Sequence, residues 1–237
     1  MTRFDTTRWS IVLRARGEAG DARAALENLC QRYRPPVFAY IRRRGYATET
    51  AEDLAQTFFA KFLEHAYHAD ADPARGRFRA FLLTALKRFL IDADAERHAL
   101  KRGGEIHFKS LDDELGSDTL DGLAERQTPE MAFERDWAAT VLESAMARLR
   151  SEATQAGKQQ LFEQLSEFLL ERPDETDYLR VAEALNLRRN TLAVAVHRLR
   201  HRLRELVRAE IAETTTDNSE LESELRQLRA SFNNVMA

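Results

Sequence analysis

The sequence predicts an all-α protein, two small helical domains joined by an acidic, flexible linker. Three observations predict it. Glycine and proline are scarce, nine and five residues in a chain of 237, while Leu, Ala, Arg and Glu dominate, a mixture that favours helices over strands. Apolar residues recur at three- and four-residue spacing over long stretches in both halves of the chain, as amphipathic helices require. Between 105 and about 129 that periodicity stops, and acids, Gly and Ser accumulate instead. The expected organisation is an N-terminal helix over 1–20, a first helical domain over 21–104, the acidic linker over 105–129, a second helical domain over 130–209, and an acidic extension over 210–237. An apolar content of 43% is enough for folded cores.

Taken in order, Thr6 or Thr7 can cap a short helix carrying Trp9, Val12 and Leu13, ended by Gly17 and Gly20. Residues 22–44 read as a longer helix through Leu26, Leu29, Tyr33, Val37, Tyr40 and Ile41. Pro35 and Pro36 are expected to break or kink it, and Gly45 to stop it. Thr48 begins the clearest helix, with Ala51, Leu54, Ala55, Phe58, Phe59, Phe62 and Leu63 on one face and Glu52, Asp53, Gln56, Thr57 and Glu64 on the other. After a loop at 67–76, a basic helix repeats the pattern through Phe78, Phe81, Leu82, Ala85, Leu86, Phe89 and Leu90. Beyond the linker, helical patterning resumes at 131–149, 161–170 and 177–208. Leu221, Leu225, Leu228 and Phe232 suggest one last short helix, which the sequence leaves open as a loose tail or an interaction element.

The net charge of −3 is a cancellation. Residues 75–102 hold eight Lys or Arg against three acids, and 188–208 hold seven Arg against Glu205 alone. Between them, 105–136 carries ten acids and three bases. Two basic blocks separated by an acidic connector imply two anion-binding modules. Cys30 is the single cysteine, so no internal disulfide forms and a reducing compartment is expected. With no signal peptide and no membrane-crossing run, the expected location is cytoplasmic.

Residues 177–208 carry the strongest local signal. Val181, Ala182 and Leu185 make a short apolar face, Asn186-Leu187-Arg188 a tight turn, and Leu192, Val196, Leu199, Leu203 and Leu206 the buried stripe of a second helix. This is the pattern of a helix-turn-helix, whose second helix enters the major groove by its N-terminal end. Arg188, Arg189, Asn190, Thr191, Ala193, Val194 and His197 then lie near base edges, where Arg suits guanine, Asn suits adenine and a small apolar group suits the thymine methyl. Arg198, Arg200 and the arginines beyond them suit phosphates.

On these residues the chain resembles a family. Thr50-Ala51-Glu52-Asp53-Leu54-Ala55-Gln56-Thr57-Phe58-Phe59 is similar to the acidic helix of sigma region two. Gly76-Arg77-Phe78-Arg79-Ala80-Phe81-Leu82 resembles the start of the promoter-melting helix, and residues 178–204 resemble region four. Region two, a linker and region four without region three is the layout of extracytoplasmic-function (ECF) sigma factors. The resemblance implies a non-enzymatic subunit, without cofactor, that binds core RNA polymerase and promoter DNA and is a monomer when free. It implies polymerase contacts at Glu52, Asp53, Gln56 and Thr57. It also implies contacts to the −10 element at Arg75, Arg77, Arg79, Lys87 and Arg88, and to the −35 element through the helix-turn-helix residues, Arg198 and Arg200 included. The linker would thread into the path of the nascent RNA. Three positions depart from the family pattern: Phe81 stands for its usual Trp, Ala195 for a basic residue, and Thr57 for a Glu. Some ECF groups answer to Ser/Thr kinases rather than anti-sigma factors, and both are among the implied partners. Thr57, four residues beyond Asp53 on the same face, is the candidate phosphorylation site, its phosphate restoring the missing charge.

Other chemistry is not expected. His65, His68, Asp70 and Asp72 cluster in sequence but fall at a helix end and in a polar loop, so no metal site is expected. No phosphate-binding glycine loop or nucleophile elbow is present. Thr214-Thr215-Thr216 reads as flexible linker. The competing readings are a conventional helix-turn-helix regulator, binding duplex as a dimer without polymerase, and a helical adaptor with no sequence readout.

Overall fold

The computed structural model describes residues 19–66, 78–102, 127–171 and 174–235. Among them every regular element is helical, as the composition and periodicity predict: α1 (Ala19–Arg43), α2 (Thr48–Ala66), α3 (Phe78–Arg102), α4 (Pro129–Gln155), α5 (Gln159–Leu165), α6 (Glu175–Leu185), α7 (Arg189–Ala212) and α8 (Asn218–Val235). A short 3-10 turn, Ser166–Leu169, extends α5. The expected helix within 1–18, the loop at 67–76 and most of the linker lie outside the described residues.

α1 runs through Pro35 and Pro36 as one helix, without the break that two prolines could have caused. Two prolines remove two backbone hydrogen bonds, at a cost of about 3 kcal/mol or more each. Against this, Leu26, Leu29 and Tyr33 before them and Val37, Tyr40 and Ile41 after them are all buried in one cluster. At about 1.5–3 kcal/mol for each large side chain buried, this packing outweighs the missing bonds. The helix stops at Gly45, whose φ of 95° suits only glycine without strain. α2 and α3 lie over α1 through the predicted stripes. Phe78, Leu82, Leu86 and Leu90 recur every four residues and are all essentially buried. Phe58, Phe62, Phe78, Phe81 and Phe89 form a chain of tilted and edge-on ring contacts, with centroids 5.5–6.2 Å apart.

α4 begins at Thr128, whose hydroxyl accepts from the Met131 amide at 3.2 Å, with Pro129 in the first turn, where its missing N–H costs nothing. Its first half, through Phe133, Trp137 and Ala138, joins the α1–α3 cluster. So do Ile211 and Ala212 from the end of α7 and Leu221 and Leu228 from α8. The second half of α4 packs through Ala145, Leu149 and Ala153 on Phe162, Leu169, Leu203 and Leu206. Leu165, Phe168, Val181, Leu192 and Val196 form a third cluster beneath α6 and the start of α7. The Thr214-Thr215-Thr216 segment is not an open linker. Thr214 and Thr215 are buried with hydroxyls bonded to carbonyls at the end of α7, and Thr216 donates to Glu220 at 2.7 Å.

Candidate functional site

The first surface is one face of α2. The apolar residues Ala51, Ala55, Phe58 and Phe62 turn inward, which leaves Glu52, Asp53, Gln56 and Thr57 exposed. Asp53 and Thr57 are one turn apart, so a negative group at 57 would stand directly above the Asp53 carboxylate. All four predicted polymerase-contact residues therefore share one accessible face.

The second surface is the helix-turn-helix. Asp174 and Asp177 form a capping box that starts α6, each side chain accepting from the other's backbone amide at 2.8 and 3.0 Å. Asn186 ends α6 in the left-handed conformation, φ 50° and ψ 44°, and the Leu187 amide donates back to the Ala182 carbonyl at 3.0 Å. That reversal sets α7 against α6 with Leu192 and Val196 inside. Arg188, Arg189, Asn190, Thr191, Ala193, Val194, His197 and Arg198 are exposed at the N-terminal end of α7. There the positive end of the helix dipole adds to the arginines. Val194 is half exposed, where an aliphatic side chain could meet a thymine methyl. Ala195, by contrast, packs inward with the third cluster.

The arginine block of α7 divides in two. Arg200 donates to the Phe168 carbonyl at 2.9 Å and to the Glu171 carbonyl at 2.5 Å, fastening α7 to the turn after α5. Arg202 grips both oxygens of Glu152 at 2.8 Å and reaches Glu205 at 2.7 Å; Arg208 pairs with Glu222 at 2.6 Å. The anion-facing part is thus the first turns, while Arg200, Arg202 and Arg208 hold α7 to its neighbours.

Among the described residues, the predicted −10 cations Arg79, Lys87 and Arg88 do not share one exposed surface. Arg75 and Arg77 lie outside the described residues. Arg88 is exposed. Lys87 is exposed but pairs with Glu130 of α4 at 2.8 Å, and that hydrogen bond holds the Glu130 carboxyl below the usual carboxylate range. Arg79 is buried, with only 8% of its surface exposed. Its Nε and Nη2 meet the two carboxylate oxygens of Glu224 in α8, each at 3.0 Å, and its guanidinium also pairs with Glu134 and lies 4.2 Å from the Trp137 ring.

Residues 29–98 match the family model described as Sigma-70 region 2. The match supports a sigma-70 family member. It spans α1 from Leu29, all of α2 and most of α3, and supports a role in promoter recognition for this region-2 segment. No curated protein and no solved structure matches the chain.

Burial, aided by the charge of Glu27, pushes the Cys30 thiol up to about 12, so it stays protonated and unreactive at neutral pH. Among the described residues no three His, Cys, Asp or Glu side chains are grouped to hold a metal, and no helix is long and apolar enough to cross a membrane. His68, Asp70 and Asp72 lie outside the described residues.

Proposed function

We propose that the chain is an alternative sigma factor of the ECF type, a non-enzymatic subunit that binds core RNA polymerase and selects promoters. What carries the proposal is the order of two independent features: a region-2 match at 29–98, then a helix-turn-helix over α6 and α7 with an exposed arginine-rich leading end. In this reading the two halves, 21–104 and 130–209, are the −10 and −35 modules, 105–129 is the linker between them, and the chain is a cytoplasmic monomer when free. Polymerase docks on the α2 face through Glu52, Asp53, Gln56 and Thr57. The regulator in this reading is a Ser/Thr kinase acting on Thr57, with an anti-sigma factor as the alternative. The supporting observation is that Thr57 is exposed one turn from Asp53, where an added phosphate of nearly two negative charges extends an acidic docking face.

The test is in-vitro transcription from a genomic fragment library with core polymerase, with and without the purified protein. Transcripts with defined start sites that need the protein are the expected result, and Thr57→Glu is expected to raise their yield several-fold. Equal yields from Thr57→Glu and wild type would remove the phosphorylation proposal alone. Silence from both, with sequence-specific duplex binding in the absence of polymerase, would establish the conventional regulator instead.

A further inference from the structure

Arg79 sits on the basic helix of the region-2 segment, yet it faces no solvent from which DNA could approach. α8 supplies Glu224, only 1% exposed, and α4 supplies Glu134, so two carboxylates enclose one guanidinium. The neighbouring contacts act in the same direction. The Phe78 amide donates to the Thr214 carbonyl at 3.3 Å, tying the first residue of α3 to the α7–α8 turn. Lys87, two turns further along α3, is held by Glu130 of α4. Arg32 of α1 and Arg148 of α4 converge on Glu210 near the end of α7.

We infer that α8 is an intramolecular latch: Glu224, with Glu134, occupies Arg79 in the free chain and must release it before the basic face of α3 can engage promoter DNA. The inference rests on the sigma-factor reading for what Arg79 would then contact. The physical argument is one of economy. A buried ion pair holds helices no better than apolar side chains of the same volume, because desolvating the charges cancels most of their attraction. What the cluster adds is exchangeability, since the phosphates of a nucleic acid can replace the carboxylates around an arginine. Among the residues of α8 whose burial is described, Leu221, Leu225 and Leu228 supply its contact with the apolar cluster, a small area for an eighteen-residue helix to release. The polymerase face of α2 stays exposed in this closed arrangement, so the latch blocks DNA without blocking polymerase.

Trp137 lies against Arg79 and is buried, and the chain has only one other tryptophan, Trp9. In a full-length Trp9→Phe background, acrylamide quenching of Trp137 therefore reports the latch directly. A short single-stranded DNA of mixed sequence is the probe, with polymerase absent. Three proteins are compared: the background itself, Glu224→Gln, and Glu222→Gln, which removes an equal charge from the exposed partner of Arg208. Glu224→Gln is expected to raise DNA affinity about tenfold over Glu222→Gln and to make Trp137 more quenchable. Equal effects of the two substitutions would reduce the latch to net charge and overturn it. If Glu224→Gln does not fold, the background protein decides alone: saturating DNA must increase Trp137 quenching, and unchanged quenching at saturation overturns the latch. The sigma-factor reading fails separately, through the absence of polymerase-dependent transcripts.

Discussion

Burial pushes the Glu210 carboxyl up, but the hydrogen bond from Arg148 and the charge of Arg32 outweigh it and leave it below its ordinary value of 4.5. A carboxylate depressed in the folded state stabilises the fold above its unfolded value, and that stabilisation is lost as pH falls through the folded value. Glu210 is 3% exposed, while Arg32 and Arg148 both reach solvent, so the contribution is moderate. Glu210→Gln is expected to cost about 2 kcal/mol at neutral pH, as for the loss of charge-assisted hydrogen bonds. Urea melts of wild type and variant should converge as the pH drops below the ordinary value of 4.5, where Glu210 itself becomes protonated. A gap that stays constant with pH would assign Glu210 a packing role only.

At the scale of elements, the helix-turn-helix depends on the left-handed residue that ends α6. Asn186 tolerates φ 50° because its short polar side chain can bond locally, and glycine tolerates it better still. Asn186→Gly should therefore be neutral within a few tenths of a kcal/mol, whereas Asn186→Val should cost about 1–2 kcal/mol, both read from chemical denaturation. Equal costs would mean that tertiary contacts, and not this turn, set the angle between α6 and α7. The turn was legible in the sequence, as were the stripes of α2, α3 and α7, because each follows from local spacing. α1 was legible in extent but not in continuity: the prolines are local, and the burial that overrides them is not. The placement of Arg79 was hidden for the same reason. Its carboxylate partner Glu224 is 145 residues away, and no local periodicity reports such a pair. A weaker signal did exist, since Arg79 borders the Phe78–Leu82–Leu86–Leu90 stripe. Arg200, too, stands four residues after Val196 and three before Leu203, both on the buried face of α7. The α2 face and the leading end of α7 needed only the complement of their apolar stripes.

For the whole molecule, the decisive feature is that the α1–α3 cluster continues into Phe133 and Trp137 of α4, Ile211 of α7 and Leu221 and Leu228 of α8. Among the described residues, α1–α3 and α8 share one apolar core, to which helices of both halves contribute. A shared core makes unfolding cooperative across the chain, since removing α8 or α1 uncovers the same side chains. Leu29→Ala in α1 and Leu228→Ala in α8 each delete buried methyl groups, at a cost of about 2–4 kcal/mol, somewhat less at Leu228, which is slightly exposed. Both substitutions are expected to lower the midpoint of one and the same thermal transition, with helix content and Trp137 emission moving together. Two transitions, with each variant shifting only its own, would show that the halves are energetically separate in the free chain. The two outcomes bear differently on the latch. If the halves melt together, releasing Arg79 must break apolar contacts as well as ion pairs. Opening the latch would then take a higher DNA concentration, which bound polymerase would lower. If they melt apart, opening costs little beyond the exchange of carboxylate for phosphate, and a lower DNA concentration would suffice.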